Sequence, residues 1–250
     1  LIFNIPSFTF SQESNSNVKA IDESLVKFQK GVDAVKEKNY EIAADIFEEL
    51  ASLGDIDAQF NLAILTRNGL GRAQNYSDAL YWTWLSFAGG LEKSEKVLEK
   101  ILELVPENSQ VEIRARVSAY ILDQINFGDR KALMHYGKYY LDVLSDADYN
   151  KAYLFYSIAS AFGEQGAKEK RDKVLDDMDN ERIVEVQSQA SVMFEKLRKN
   201  EKIEIKKIQD RVNVITKKIG RRPKMLVGKP GLDGHSNGAE QIAVRARDIG

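Results

Sequence analysis

A short pattern that returns at nearly constant spacing constrains this chain more than any other feature, because a unit of about 36 residues cannot bury a core alone and must stack on its neighbours. Asn39-Tyr40-Glu41-Ile42-Ala43 returns 36 residues on as Asn75-Tyr76-Ser77-Asp78-Ala79, and 73 residues after that as Asp148-Tyr149-Asn150-Lys151-Ala152. Gly54-Asp55-Ile56-Asp57-Ala58 returns 74 residues on as Gly128-Asp129-Arg130-Lys131-Ala132. The two longer offsets are close to two periods, so a further unit is expected between residues 91 and 127, with its length kept and its signature lost. Apolar and small residues at helical spacing flank a Gly-rich turn, which makes each unit a helical hairpin. In the clearest copy Ala58, Leu62, Ala63 and Leu65 share one face, the turn Asn68-Gly69-Leu70-Gly71 follows, and Ala79, Leu80, Trp82, Leu85 and Ala88 give a second face before Gly89-Gly90. The alanines let helices approach closely, and Tyr76, Trp82 and Phe155 are expected to fill the wider gaps.

On these residues the chain resembles the Sel1-like repeats, relatives of the tetratricopeptide repeats. Gly54-Asp55-x-x-Ala58-Gln59-x-x-Leu62-Ala63, Gly69-x-Gly71, Asn75-Tyr76-x-x-Ala79-x-x-Trp82 and Ala88-x-Gly90 carry the likeness over residues 28–167, while the last copy keeps Tyr149, Ala152, Tyr156, Ala159 and Gly163 without the Gly-x-Gly turn. The resemblance implies an α-solenoid that binds a protein partner, with no catalytic residue. Trp82, Trp84 and the tyrosines read as repeat core rather than as a ligand stripe. His135 has no second ligand or acid at useful spacing, and reads as a surface or packed histidine.

Charge divides the chain. Residues 201–250 hold 12 Lys/Arg against 6 Asp/Glu, so a total of −2 conceals +6 in that part and −8 in residues 1–200. Residues 168–219 read as a charged helical cap and linker. Ile183, Val186, Ala190, Val192 and Phe194 are expected to cover the open end of the solenoid, and Ile208, Val212, Ile215 and Ile219 at 4, 3, 4 spacing give an amphipathic helix with Lys206, Lys207, Lys217 and Lys218 on its wet side.

The last 31 residues hold 6 of the 16 glycines. Pro223 stops the preceding helix, residues 224–228 form a short apolar run typical of a buried strand, and residues 239–248 form an amphipathic helix, so strand, loop and helix make the opening half of a parallel α/β unit. The loop fits neither the phosphate-loop nor the dinucleotide glycine spacing. It carries Asp233-x-His235-x-x-Gly238, with Gly234 between the acid and the histidine, at the carboxyl end of the strand, where ligands bind in open α/β sheets. A carboxylate two residues from an imidazole can accept one ring N–H and leave the other nitrogen basic. One histidine cannot hold a free metal ion, but it can supply an axial ligand to a metal already held by a macrocycle, and the glycines leave room for a bulky planar ligand.

Residues 221–238 resemble the start of the cobalamin-binding domain of the adenosylcobalamin-dependent acyl-CoA mutases, the methylmalonyl-CoA and ethylmalonyl-CoA type, and most nearly the ethylmalonyl-CoA branch. The resemblance implies a Rossmann/flavodoxin-like fold, adenosylcobalamin as cofactor, His235 as lower cobalt ligand, Asp233 orienting it, Gly238 packed against the nucleotide tail, and Gly234 among the cofactor-binding residues. It covers only the first β-α unit of such a domain, so the domain is expected to be truncated at Gly250, and the substrate barrel has no counterpart in the repeats.

The expected organisation is therefore residues 1–27 as a disordered or signal-peptide remnant, 28–167 as solenoid, 168–219 as cap and linker, and 220–250 as truncated cobalamin-binding domain. Two functional readings stand: a cobalamin-binding piece of an acyl-CoA mutase (an isomerase) joined to a repeat module, or a non-catalytic interaction scaffold with an incidental C-terminal fusion. The first places the chain in the cytoplasm. The second allows a periplasmic or secreted location if residues 1–11, with Thr9 and Ser11 at a cleavage site, end a signal peptide. No nucleic-acid partner or membrane span is expected. The absence of cysteine excludes thiolate zinc sites, disulfides and a cysteine nucleophile.

Overall fold

The computed structural model describes residues 23–219, and among them the secondary structure is helical, with no strand. The helices run as α1 (Glu23–Lys36), α2 (Tyr40–Ser52), α3 (Ile56–Asn68), α4 (Tyr76–Ala88), α5 (Glu95–Leu102), α6 (Glu107–Asn126), α7 (Lys131–Asp142), α8 (Tyr149–Ala161), α9 (Ala167–Leu175) and α10 (Asn180–Ile219), with a 3₁₀ turn at Glu92–Ser94. α1 packs on α2, α3 on α4 and α7 on α8 as hairpins, and α2 on α3, α6 on α7 and α8 on α9 join one hairpin to the next. This is repeat-like stacking, as the periodicity requires. The strand and helix expected at 224–228 and 239–248 lie outside the described residues, as do residues 1–22.

The recurring five-residue signature is a helix start. Asn75 accepts a hydrogen bond from the Asp78 backbone N–H at 3.1 Å and Asp148 from that of Lys151 at 3.0 Å, each satisfying one of the donors a helix N-terminus leaves open. Asp55 does the same for Ala58 at 2.7 Å at the start of α3. In the first turns of α2, α4 and α8, the backbone N–H groups of Ala43, Ala79 and Ala152 donate back to the carbonyls of Asn39, Asn75 and Asp148, and all three methyls are fully buried. The signature thus joins a helix start to a position where only a small side chain lets neighbouring helices meet.

Burial follows the spacing. Ala58, Leu62, Ala63, Leu65, Ala79, Leu80, Leu85 and Ala88 are buried, and Trp84 and Phe155 lie in the core with Trp82 and Tyr76 half-buried against it. The unit at 91–127 departs from the others: α5 has only 8 residues and α6 has 20. α5 lies on α4, whereas α6 packs on both α4 and α7. The Gln110 side-chain amide donates to the carbonyls of Val105 at 2.8 Å and Leu102 at 3.3 Å, closing the end of α5 where Pro106 prevents its continuation.

α10 covers the last repeat by packing on α8. Val186 and Ala190 are buried and Phe194 meets Phe162 at 4.7 Å between ring centroids, but Val192 is 70% exposed and must be removed from the expected capping face. A helix turns about 100° per residue, so Val192 stands about 200° from Ala190, on the far side. Farther on, Glu201 receives a two-pronged hydrogen bond from Arg130, Nε to Oε1 at 3.0 Å and Nη2 to Oε2 at 2.7 Å, and the same guanidinium lies 4.4 Å over the Phe162 ring.

Candidate functional site

Asp233, Gly234, His235 and Gly238 lie outside the described residues. The last described element before them in the sequence is α10, a 40-residue helix ending at Ile219. At 1.5 Å per residue it is about 60 Å long. Its first half is held on the repeats by Val186, Ala190 and Phe194, and by Glu201 just past the midpoint, with the Gln187 amide donating to the Tyr153 hydroxyl at 3.1 Å.

Among the described residues, polar groups also line a small cavity within the helical stack. A cavity of about 20 Å³ lies between α3, α4, α6 and α7, lined by Gln59, Leu85, Tyr120, Gln124, Asp129 and His135 among others. That volume admits one water molecule and no organic substrate. Gln59 is turned away from ligand duty, since its amide donates to the Ala51 carbonyl at 3.2 Å. The Tyr120 hydroxyl points to the same helix end, 3.3 Å from the Ser52 carbonyl, and burial pushes its phenol up to about 12. His135 sits half-buried in α7. Burial pushes its imidazole down to about 4, reinforced by Lys131 and Lys170 and opposed by the Asp129 carboxylate. No group of three or more His, Cys, Asp or Glu side chains among the described residues can hold a metal ion.

His135 is therefore a packed histidine, and a pH experiment reads this directly. Its folded value lies below the ordinary 6.5, so the folded state binds fewer protons than the unfolded chain between about pH 6.5 and 4, and stability is lost as pH falls through that window. His135→Gln is expected to flatten the urea-midpoint decline between pH 6.5 and 4 relative to the unmodified chain. Parallel declines in the two proteins would show that His135 is protonated as easily in the fold as out of it.

The Asp129–His135 neighbourhood is not visible as such in the sequence, because its other walls come from α3, α4 and α6. Nor is the Arg130–Glu201 pair, whose members are 71 residues apart. No spacing rule reaches that far.

Comparison with known proteins adds what the geometry does not. A short stretch of this chain is similar to ethylmalonyl-CoA mutase. It is 63% identical over 43 residues to the ethylmalonyl-CoA mutase of Cereibacter sphaeroides, 17% of this chain and 7% of that protein. It is 73% identical over 33 residues to the ethylmalonyl-CoA mutase of Methylorubrum extorquens, 13% of this chain and 5% of that protein. The chain thus spans less than a tenth of the length of the curated relatives it matches. No family model matches the chain, and no solved structure matches it. Among the described residues no helix is long and apolar enough to cross a membrane.

Proposed function

We propose that residues 220–250 are the opening of a cobalamin-binding domain of the acyl-CoA mutase type, carried behind a Sel1-like helical scaffold. The observation that carries this reading is the similarity to two ethylmalonyl-CoA mutases, which we assign to the end of the chain because residues 221–238 hold the resemblance; at 43 and 33 residues the matched stretches are longer than residues 220–250, so by this assignment they also take in the end of α10. In this reading His235 would hold the cobalt of cobalamin through its free ring nitrogen. Asp233 accepts the other ring N–H, which fixes the tautomer and raises the basicity of the ligating nitrogen. Gly238, with no side chain, would let the nucleotide tail pack against it, and Gly234 is a further cofactor-binding residue of this reading. Bound adenosylcobalamin supplies the radical for isomerisation, while the protein places it. Residues 23–219 are assigned no catalytic step; they offer the repeat surface to a protein partner.

A second reading is favoured by one observation, that the described residues are helical and stack in a repeat-like way. In it the repeats are the functional unit, an interaction scaffold, and the C-terminal segment is incidental.

A segment exchange tests the first. The 33-residue stretch of the Methylorubrum extorquens enzyme is replaced by its counterpart from this chain, which is 73% identical to it. The chimera is expected to take up hydroxocobalamin with the absorption spectrum of imidazole-ligated cobalt. His235→Ala in the chimera should abolish that spectrum, and Asp233→Asn should weaken retention about 10–100-fold, the usual effect of removing the group that orients a ligating histidine. A chimera that takes up no cobalamin, or a spectrum that survives His235→Ala, overturns the ligand assignment.

A further inference from the structure

The face by which α10 grips the repeats does not stop where the repeats stop. Phe194, Glu201, Ile208 and Ile215 lie seven residues apart on one line of the helix. Phe194 meets Phe162 and Glu201 meets Arg130, but Ile208 and Ile215 are 45% and 46% exposed. With Val212, and with Ile219 next in the sequence, they keep strict 4, 3, 4 spacing. From these observations we infer that α10 beyond Glu201 is a self-association helix, which pairs in parallel with the same segment of other copies of this chain.

Three features choose this occupant over others. First, at 100° per residue these four positions fall within an arc of about 60°, the narrow seam of a coiled coil, while the exposed Ile203 and Val214 stand apart on the far side and do not widen it into the stripe of about 100° or more that a lipid surface or a globular core needs. Second, all four are β-branched. Such residues at both core positions fit parallel bundles and favour three strands over two. Third, the flanks of the seam differ. Arg211 and Lys218 line one side, Gln209 and Thr216 the other. A parallel, in-register arrangement sets each basic flank against a neutral one, Arg211 beside Thr216 of the next copy. An antiparallel pair would bring the basic flanks together, and like charges across a seam are repulsive. Helix nucleation, the usual obstacle for so short a seam, is already met because the first half of α10 is packed on α8.

The sequence makes the test clean, since it contains no cysteine. Light scattering of the full chain is expected to give a mass that is a multiple of 28.3 kDa. Under mild oxidation, Ile208→Cys alone and Ile215→Cys alone should each form disulfide-linked chains. The double variant Ile208→Lys, Ile215→Lys should be monomeric with the thermal melt of the repeats unchanged, because neither residue is buried in the repeat core. A monomer in which the single cysteines do not link overturns the inference, whether residues 220–250 or an acidic helix of another protein covers the seam. Disulfides formed only when the Ile208→Cys and Ile215→Cys variants are mixed overturn it in favour of antiparallel pairing.

Discussion

Gly71→Ala is expected to lower stability by about 2–5 kcal/mol, combining about 1–2 for a left-handed backbone with about 1–3 for a forced steric displacement. Gly71 has φ +76°, and a Cβ built on it would lie 2.1 Å from the Tyr40 carbonyl oxygen and 2.7 Å from the Glu41 nitrogen. Those atoms are the backbone at the start of α2, so relief requires the turn and the helix to part. The contact is reinforced next door, where the Arg72 guanidinium reaches Glu48 on α2 at 3.2 Å. Gly90→Ala is the matched comparison. Gly90 has φ +94° but nothing within 4 Å of its added methyl, so it should lose only the backbone component, about 1–2 kcal/mol. Urea midpoints of the two variants decide the matter. Equal losses would mean that the close approach to Tyr40 contributes nothing and that the turn conformation is the whole effect.

Gly71 also shows where sequence reading succeeds and where it stops. The pair Gly69-x-Gly71 is legible as a turn, because two glycines between apolar helical faces have few other uses. That the second glycine is needed for the backbone of Tyr40 is not legible, since turn chemistry is local and the approach is not. The same division runs through the fold. Asn75, Asp148 and Asp55 recur in the sequence because they are caps, and the fully buried Ala43, Ala79 and Ala152 recur because helices meet there. The outward turn of Val192 could have been read from its two-residue offset from Ala190, but the changed geometry of α5 and α6 could not, because a lost signature gives length and no packing. For the candidate site the balance reverses. Asp233, Gly234, His235 and Gly238 are legible as chemistry from their types and spacing, while their arrangement lies outside the described residues. The repeats therefore rest on structure with little sequence specificity, and the cofactor segment on sequence similarity over 33 to 43 residues.

A second large effect is expected at the contact between α7 and α8. Gly137 sits inside α7, and a Cβ built there would lie 2.4 Å from the Tyr156 ring, which is itself among the largest fully buried side chains. Tyr156→Ala removes an aromatic ring from a packed site, and is expected to cost about 3–5 kcal/mol. Gly137→Ala overfills the same space at about 1–3 kcal/mol. The two losses should not add. With the ring gone, the methyl introduced by Gly137→Ala enters vacated space, so the double variant should be more stable than the sum of the singles predicts by about 1–3 kcal/mol. Strict additivity in a double-mutant cycle of urea unfolding would show that the glycine is required for some other reason than closeness to the ring. The first hairpin repeats the arrangement, with a Cβ at Gly31 falling 2.8 Å from the Phe47 ring, so a small residue in the first helix facing a ring in the second is how both of these hairpins close. At α7 and α8 the closure matters beyond the hairpin. α8 also carries α10, and the Tyr153 hydroxyl that receives Gln187 belongs to the same helix as Tyr156, one turn earlier. Loss of the ring should therefore loosen α10 as well, and hydrogen exchange along residues 183–201 should quicken in Tyr156→Ala while α1 and α2 retain their protection.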